Sequence, residues 1–193
     1  VFEGNKGFMD SIAGHFEIDW STEGLDRVEL TEIKKYNAEG HSQPSIEGVL
    51  ELQKEHGFAA ADVERVEIDV FDVAYNIIGG GEDGDKLDIR TKEQADHSLP
   101  YMVAAAILDG TVMLEAYDDE RILRGDVQDL LRRVSSRPSQ EYTDRFPGEM
   151  PTLLRVTLKD GRALVREKQD YVGFHTNPMA WEAVVEKFEL LSS

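Results

Sequence analysis

Residues 98–110 constrain the fold more than any other stretch of this chain. Ser98 can cap a helix, Pro100 falls in its first turn, where a missing N–H costs nothing, and Gly110 stands just past its end. From Met102 to Leu108 every residue is apolar. A helix that is apolar all round is buried on all sides. The whole apolar run, Leu99 to Leu108, is too short to span a bilayer, so other parts of the chain must cover it.

Those covering layers can be read locally. In residues 63–73, Val66, Ile68 and Val70 alternate with Arg65, Glu67 and Asp69, which predicts a strand. Leu153–Lys159 and Arg162–Glu167 flank Asp160-Gly161, a hairpin signal of type I′. Ile46, Val49, Leu50 and Gln53 recur at helical spacing, predicting a helix over 44–56 with Ser42 as N-cap, Pro44 in the first turn and Gly57 as its stop. Phe8, Ile12 and Ala13 share a face of a short helix over 5–13, and Glu29–Tyr36 reads as a strand. Residues 91–97 read as a helical turn, and 126–134 as an amphipathic helix carrying Val127, Leu130, Leu131 and Val134. Asn177-Pro178 reads as the cap of a last helix, whose Trp181, Val184, Val185 and Phe188 form a wide apolar face that must pack on something. There is no regular βαβ alternation, so the fold class is α+β. Gly79-Gly80-Gly81 lacks the spacing and the lysine of phosphate loops and reads as a flexible loop.

Charge narrows the partners. The 193 residues hold 21 basic and 39 acidic side chains, a net charge of −18. Phosphate binding needs a basic footprint, which argues against nucleic acid and against anionic membrane surfaces. The acids are dispersed and Arg outnumbers Lys, 12 to 9. That pattern suits a high-salt cytoplasm, where screening removes self-repulsion; an ordinary acidic protein fits equally well. With no cysteine there is no thiolate nucleophile, disulfide or iron–sulfur cluster, as expected of a cytoplasmic protein. No basic segment followed by an apolar one opens the chain, so no signal peptide is expected, and Val1 in first place leaves open a trimmed start. No two histidines have zinc-ligand spacing, so no metal site is expected; His15 and His175 stand alone, and His56 suits the C-terminal end of its helix.

Against this acidic background Lys34-Lys35-Tyr36-Asn37-Ala38-Glu39-Gly40-His41-Ser42-Gln43-Pro44 stands out. A helix N-terminus attracts carboxylates, and two lysines lie just upstream of this one. The stretch could form an electropositive island for a polycarboxylate, with Glu39 and His41 as acid and base. Spacing alone favours a plainer arrangement, with Ser42 capping, the lysines solvated and His41 in a loop. In the second cluster, Asp96-His97-Ser98, the four-residue steps from Glu93 to His97 to Tyr101 place all three on one helical face. Here too a cap and a buried hydrogen-bonded pair is the plainer reading.

Set together, these segments resemble the MmgE/PrpD family, which includes 2-methylcitrate dehydratases, cis-aconitate decarboxylases and an iminodisuccinate epimerase. Thr91 to Ala104 is similar to the family's hallmark segment, Glu3 to Met9 to the region near the join of its two domains, and Asn177-Pro178-Met179 with Glu186-Lys187-Phe188 to its C-terminal segment. Ala38-Glu39-Gly40-His41-Ser42-Gln43 is similar to the 2-methylcitrate dehydratase branch, although Asn37 replaces a common proline. Other branches tend to have Cys or His at the position of Glu39 and His at that of Gln43.

The resemblance implies an all-helical domain plus a smaller α+β lid with the active site between them. Family members are more than twice this length. Residues 1–28 would be the junction with the helical domain, 29–172 the lid and 173–193 a return helix. It further implies catalytic roles for Lys34 and His41, and substrate contacts from Glu39, Ser42, Gln43, His97 and Tyr101. The implied substrate is a tricarboxylate, the implied partners are the remainder of the helical domain and a second copy in a homodimer, and no cofactor is implied. The alternatives are a non-catalytic module or another reaction of the family.

Overall fold

The computed structural model of the protein describes residues 7–17, 19, 21, 24, 31–82 and 84–192. It divides into two compact units, residues 1–31 and 32–193. In the first, a wide helical turn at Met9–Ala13 ends at Gly14. Phe8 and Phe16 meet there edge to face, with ring centroids 6.3 Å apart. This is the described part of the helix expected over 5–13; residues 5 and 6 lie outside the described residues.

The second unit is an α+β fold built on a four-stranded mixed sheet. Its strands are β1 (Val63–Val70), β2 (Val134–Pro138), β3 (Thr152–Leu158) and β4 (Ala163–Lys168), in the order β2-β1-β3-β4. β1 runs parallel to β2, with Val66 beside Val134, and antiparallel to β3, with Ile68 beside Leu154. The β3–β4 hairpin turns at Asp160-Gly161, where Gly161 takes φ +89°. Thr152, Leu154, Val156 and Leu158 point inward in strict alternation.

The main helices are α1 (Gln43–His56), α2 (Lys92–Asp96), α3 (Leu99–Asp109), α4 (Gly125–Leu131) and α5 (Trp181–Ser192), of which α1 and α3 pack on the sheet. α3 packs against α1, α4 and β2, and Leu99 through Ile107 are all buried. Ser98 Oγ accepts from Tyr101 N at 3.1 Å, and Gly110 closes α3 at φ +73°. α1 lies over β3 and β4, and a buried Ser45–Thr152 hydroxyl pair at 3.0 Å stitches its first turn to the sheet. Gly48 lets α1 approach, since a Cβ there would meet Leu154 Cδ1 at 2.6 Å.

Four local expectations fail, each for a physical reason. No strand forms over residues 31–36, because the backbone of Tyr36 bonds to the Gln43 side chain in place of a ladder; Glu29 and Leu30 lie outside the described residues. The helix expected over 126–134 ends at Leu131, and Val134 opens β2, whose parallel pairing to β1 is a long-range choice. The strand expected over 63–73 stops at Val70, and Asp69 on its polar side is buried. Burial alone would raise the Asp69 pKa, but hydrogen bonds from Arg137 (2.5 Å) and Arg155 (2.8 Å) hold it below the usual carboxylate value. Asn177 lies four residues ahead of α5 and does not cap it; its side chain donates to Asp170 at 3.1 Å. The face of α5 is apolar and open, with Trp181 74% and Phe188 69% exposed. Among the described residues no helix is long and apolar enough to cross a membrane.

Candidate active-site cleft

The segment from Glu32 to Ser42 is shaped by side chains. Gln43 Oε1 accepts from Tyr36 N at 3.0 Å, and Gln43 Nε2 donates to Tyr36 O at 3.1 Å. Asn37 N donates to Val112 O and Ile33 N to Gly173 O, both at 2.9 Å. Glu47 is 4% exposed and accepts from Lys35 Nζ at 3.2 Å, Lys168 Nζ at 3.0 Å and Val172 N at 3.2 Å. Lys35 is thereby held on the α1–β4 side, while its neighbour Lys34 lines a cleft of about 440 Å³.

Glu39 sits on the wall of the same cleft. Its Oε2 accepts from His41 N at 2.8 Å, and its Oε1 faces His41 Nδ1 at 2.7 Å. The carboxylate therefore fills the N–H position at the start of the Gly40–Ser42 helical turn, where a substrate carboxylate was expected to bind. His41 lies behind Glu39, off the cleft wall, with its ring centroid 5.4 Å from Phe71 and 5.9 Å from Phe146. With Nδ1 engaged by Glu39, Nε2 is left for other partners.

The opposite wall comes from distant parts of the chain: Lys92 and Asp96 of α2, His97, the Leu114–Tyr117 turn, and Lys187 of α5. Lys187 Nζ donates to the carbonyl of Lys34. Burial, then the charge of Lys34, lowers the Lys187 pKa below the ordinary lysine value. Lys34, Lys92 and Lys187 make no ion pair with any described carboxylate. The two acids of the cleft are instead taken up by histidines, Glu39 by His41 at 2.7 Å and Asp96 by His97 at 2.5 Å. Three lysines that meet no carboxylate among the described residues are a strong local reversal in a chain of net charge −18.

Of the residues expected at the site, Lys34, Glu39 and His97 share this cleft, and four do not line it. Ser42 is fully buried and its Oγ donates to Glu39 O at 2.6 Å, so it neither caps α1 with its side chain nor reaches the cleft. Gln43 is fully buried as the clamp on Tyr36. His41 stands behind Glu39. Tyr101 is fully buried in α3, pushed up to about 12 by burial, and its O–H donates to Ala116 O. The face expected to unite Glu93, His97 and Tyr101 breaks at His97 (φ −113°), so His97 turns outward and Tyr101 inward. Lys92, Lys187 and Tyr117 were not foreseen at the site, since no spacing rule links positions so far apart in sequence.

The profile of the MmgE/PrpD C-terminal domain matches residues 36–193. The chain belongs to the MmgE/PrpD family. It is 25% identical over 139 residues to a cis-aconitate decarboxylase of Mus musculus, covering 70% of this chain and 26% of that protein. A Homo sapiens cis-aconitate decarboxylase is 28% identical over 109 residues, 53% of this chain and 21% of that protein. A 2-methylcitrate dehydratase of Cupriavidus necator is 28% identical over 163 residues, 79% of this chain and 32% of that protein. The MmgE/PrpD chain thus spans a third or less of the length of these curated relatives.

Proposed function

We propose that this chain supplies one wall of the active site of a 2-methylcitrate dehydratase, which eliminates water to give 2-methyl-cis-aconitate. The observation that carries the reading is the cleft of Lys34, Lys92 and Lys187, which pair with no described carboxylate, beside the Glu39–His41 pair. Elimination needs a base to take a proton from the carbon next to a carboxylate and an acid to protonate the departing hydroxyl. The lysines hold the carboxylates and oppose the negative charge that develops as the proton leaves. Proton transfer at the cleft wall falls to Glu39 in this reading, which its contact with His41 at 2.7 Å supports. In this reading the remainder of the helical domain closes the open side of the cleft and covers the open apolar face of α5.

Lys34→Ala in the intact protein should lower kcat/KM for 2-methylcitrate by about 100-fold or more with Tm held, since one charged donor to a developing anion is worth that much. Absorbance of the unsaturated product measures it. Unchanged turnover rejects the assignment. The mouse and human relatives favour decarboxylation as the second reading, and release of CO₂ from cis-aconitate without hydration chemistry would select it.

A further inference from the structure

The elimination proposed above needs two proton-transfer groups, and Glu39 is only one of them. Glu39 accepts from His41 N at 2.8 Å and faces His41 Nδ1 at 2.7 Å, a setting that suits a carboxylate taking a proton. The three lysines of the cleft hold carboxylates in that reading. Of the other titratable groups on its wall, Tyr36 and Tyr117 are buried. The side chain of His97 is 53% exposed, so a ligand in the cleft can reach it.

His97 is exposed without being loose. It closes α2, and the next residue caps α3. Gln94 Oε1 accepts from Thr91 N at 3.2 Å, and Thr91 Oγ1 accepts from Gln94 N at 3.4 Å, which fixes the start of α2. On the other side Ser98 is fully buried, its Oγ donating to Lys86 O at 2.7 Å and accepting from Tyr101 N at 3.1 Å. The backbone is thus held before and after His97. The ring is held too, since Nδ1 faces Asp96 Oδ1 at 2.5 Å. Nε2 has no hydrogen-bond partner among the described residues. An ammonium can only donate, whereas an imidazole donates in one form and accepts in the other. With Nδ1 turned to a carboxylate, the ring can carry a proton on Nε2 while Asp96 balances the charge.

Resting on the reading of the cleft as a dehydratase site, we propose that His97 Nε2 protonates the departing hydroxyl of the tricarboxylate while Glu39 takes the proton from carbon. The C–H electron pair becomes the new C=C bond. The C–O bond breaks with its pair on oxygen, and the Nε2 proton makes that oxygen water. Glu39 ends protonated and His97 neutral, and proton exchange with solvent restores both.

The test uses the intact protein with 2-methylcitrate and with its analogue carrying fluorine in place of the hydroxyl, because fluoride leaves with less help from an acid than hydroxide does. His97→Ala should lower kcat for dehydration by about 100-fold, the lower end of what one proton-transfer group contributes. Fluoride elimination should fall far less, and added imidazole should restore part of the dehydration. Affinity for tricarballylate, a tricarboxylate with no hydroxyl to eliminate, should hold. Undiminished dehydration, equal losses of water and fluoride elimination, tricarballylate affinity falling along with kcat, or no recovery with imidazole overturns the proposal. The two levels separate cleanly. A wild type that dehydrates nothing overturns the dehydratase reading and the role of His97 with it. A wild type that dehydrates beside an equally active His97→Ala rejects His97 alone.

Discussion

Lys34 lies close enough to Lys187 to add to the effect of burial on its charge, and this gives the cleft a pH response. The Lys187 pKa is lowered by burial first and by Lys34 second. Two consequences follow with opposite sign. For stability, the folded state holds its Lys187 proton less tightly than the unfolded chain does. Lys187 therefore weakens the fold below its lowered pKa, and stability recovers as pH rises through the window up to the ordinary lysine value of about 10.4. For binding, the cleft loses a positive charge through the same window, so tricarballylate affinity should fall at lower pH than an ordinary lysine would predict. Lys187→Arg stays charged throughout, because a guanidinium titrates above about 12. Its affinity should persist to higher pH. Calorimetric titrations between about pH 7 and 11 measure this, and coincident profiles for wild type and Lys187→Arg count against a binding role for Lys187.

At the scale of elements, the cleft depends on one backbone contact. Gly173 sits at φ +117°, and a Cβ there would lie 1.9 Å from the carbonyl oxygen of Ile33. The neighbour is backbone and cannot swing away, so Gly173→Ala must displace the segment that carries Lys34. The variant should lose more than about 1 kcal/mol and also bind tricarballylate poorly. Gly110, at φ +73° with open space around its Cβ position, is the control: Gly110→Ala should lower Tm through strain alone and keep its affinity. Equal affinities in the two variants would show that Gly173 does not position the site. Gly173 also marks where sequence reading stops. α3 was legible because Ser98, Pro100 and Gly110 are local cues with local causes, and the β3–β4 hairpin likewise because Asp160-Gly161 sits between alternating runs. β2 was not, since Val-Ser-Ser-Arg-Pro has no apolar alternation and is a strand only because β1 lies beside it. The strand expected near residue 36 fails for the converse reason, a single glutamine answering the backbone better than any neighbour could. At the site, Lys34 and Glu39 stood out in one dense stretch. Lys92, Tyr117 and Lys187 meet them only through the fold.

For the whole molecule the governing quantity is charge. Even if every basic side chain were paired, a net charge of −18 leaves a large acidic excess with no partner. Many of the ion pairs present are exposed, such as Arg65–Glu67 and Arg90–Asp88, and exposed pairs are worth about 0–1 kcal/mol each. Salt weakens those pairs slightly and relieves the repulsion among the unpaired acids more. The screening length falls from about 10 Å at 0.1 M to about 3 Å at 1 M, shorter than the spacing of most surface acids. KCl should therefore stabilise the fold by at least about 1 kcal/mol between low and molar concentration, a rise of about 2–4 °C in Tm for a chain of this size. The same field would oppose the tricarboxylate of the proposed function, since an acidic surface repels an anion until it reaches the three lysines of the cleft. Added KCl should then speed association while weakening the lysine contacts, so kon rises as affinity falls. Thermal melts and stopped-flow binding over one KCl series read both effects. A Tm that is flat or falling with salt would mean that the paired charges outweigh the excess, and it would remove the case for a high-salt cytoplasm.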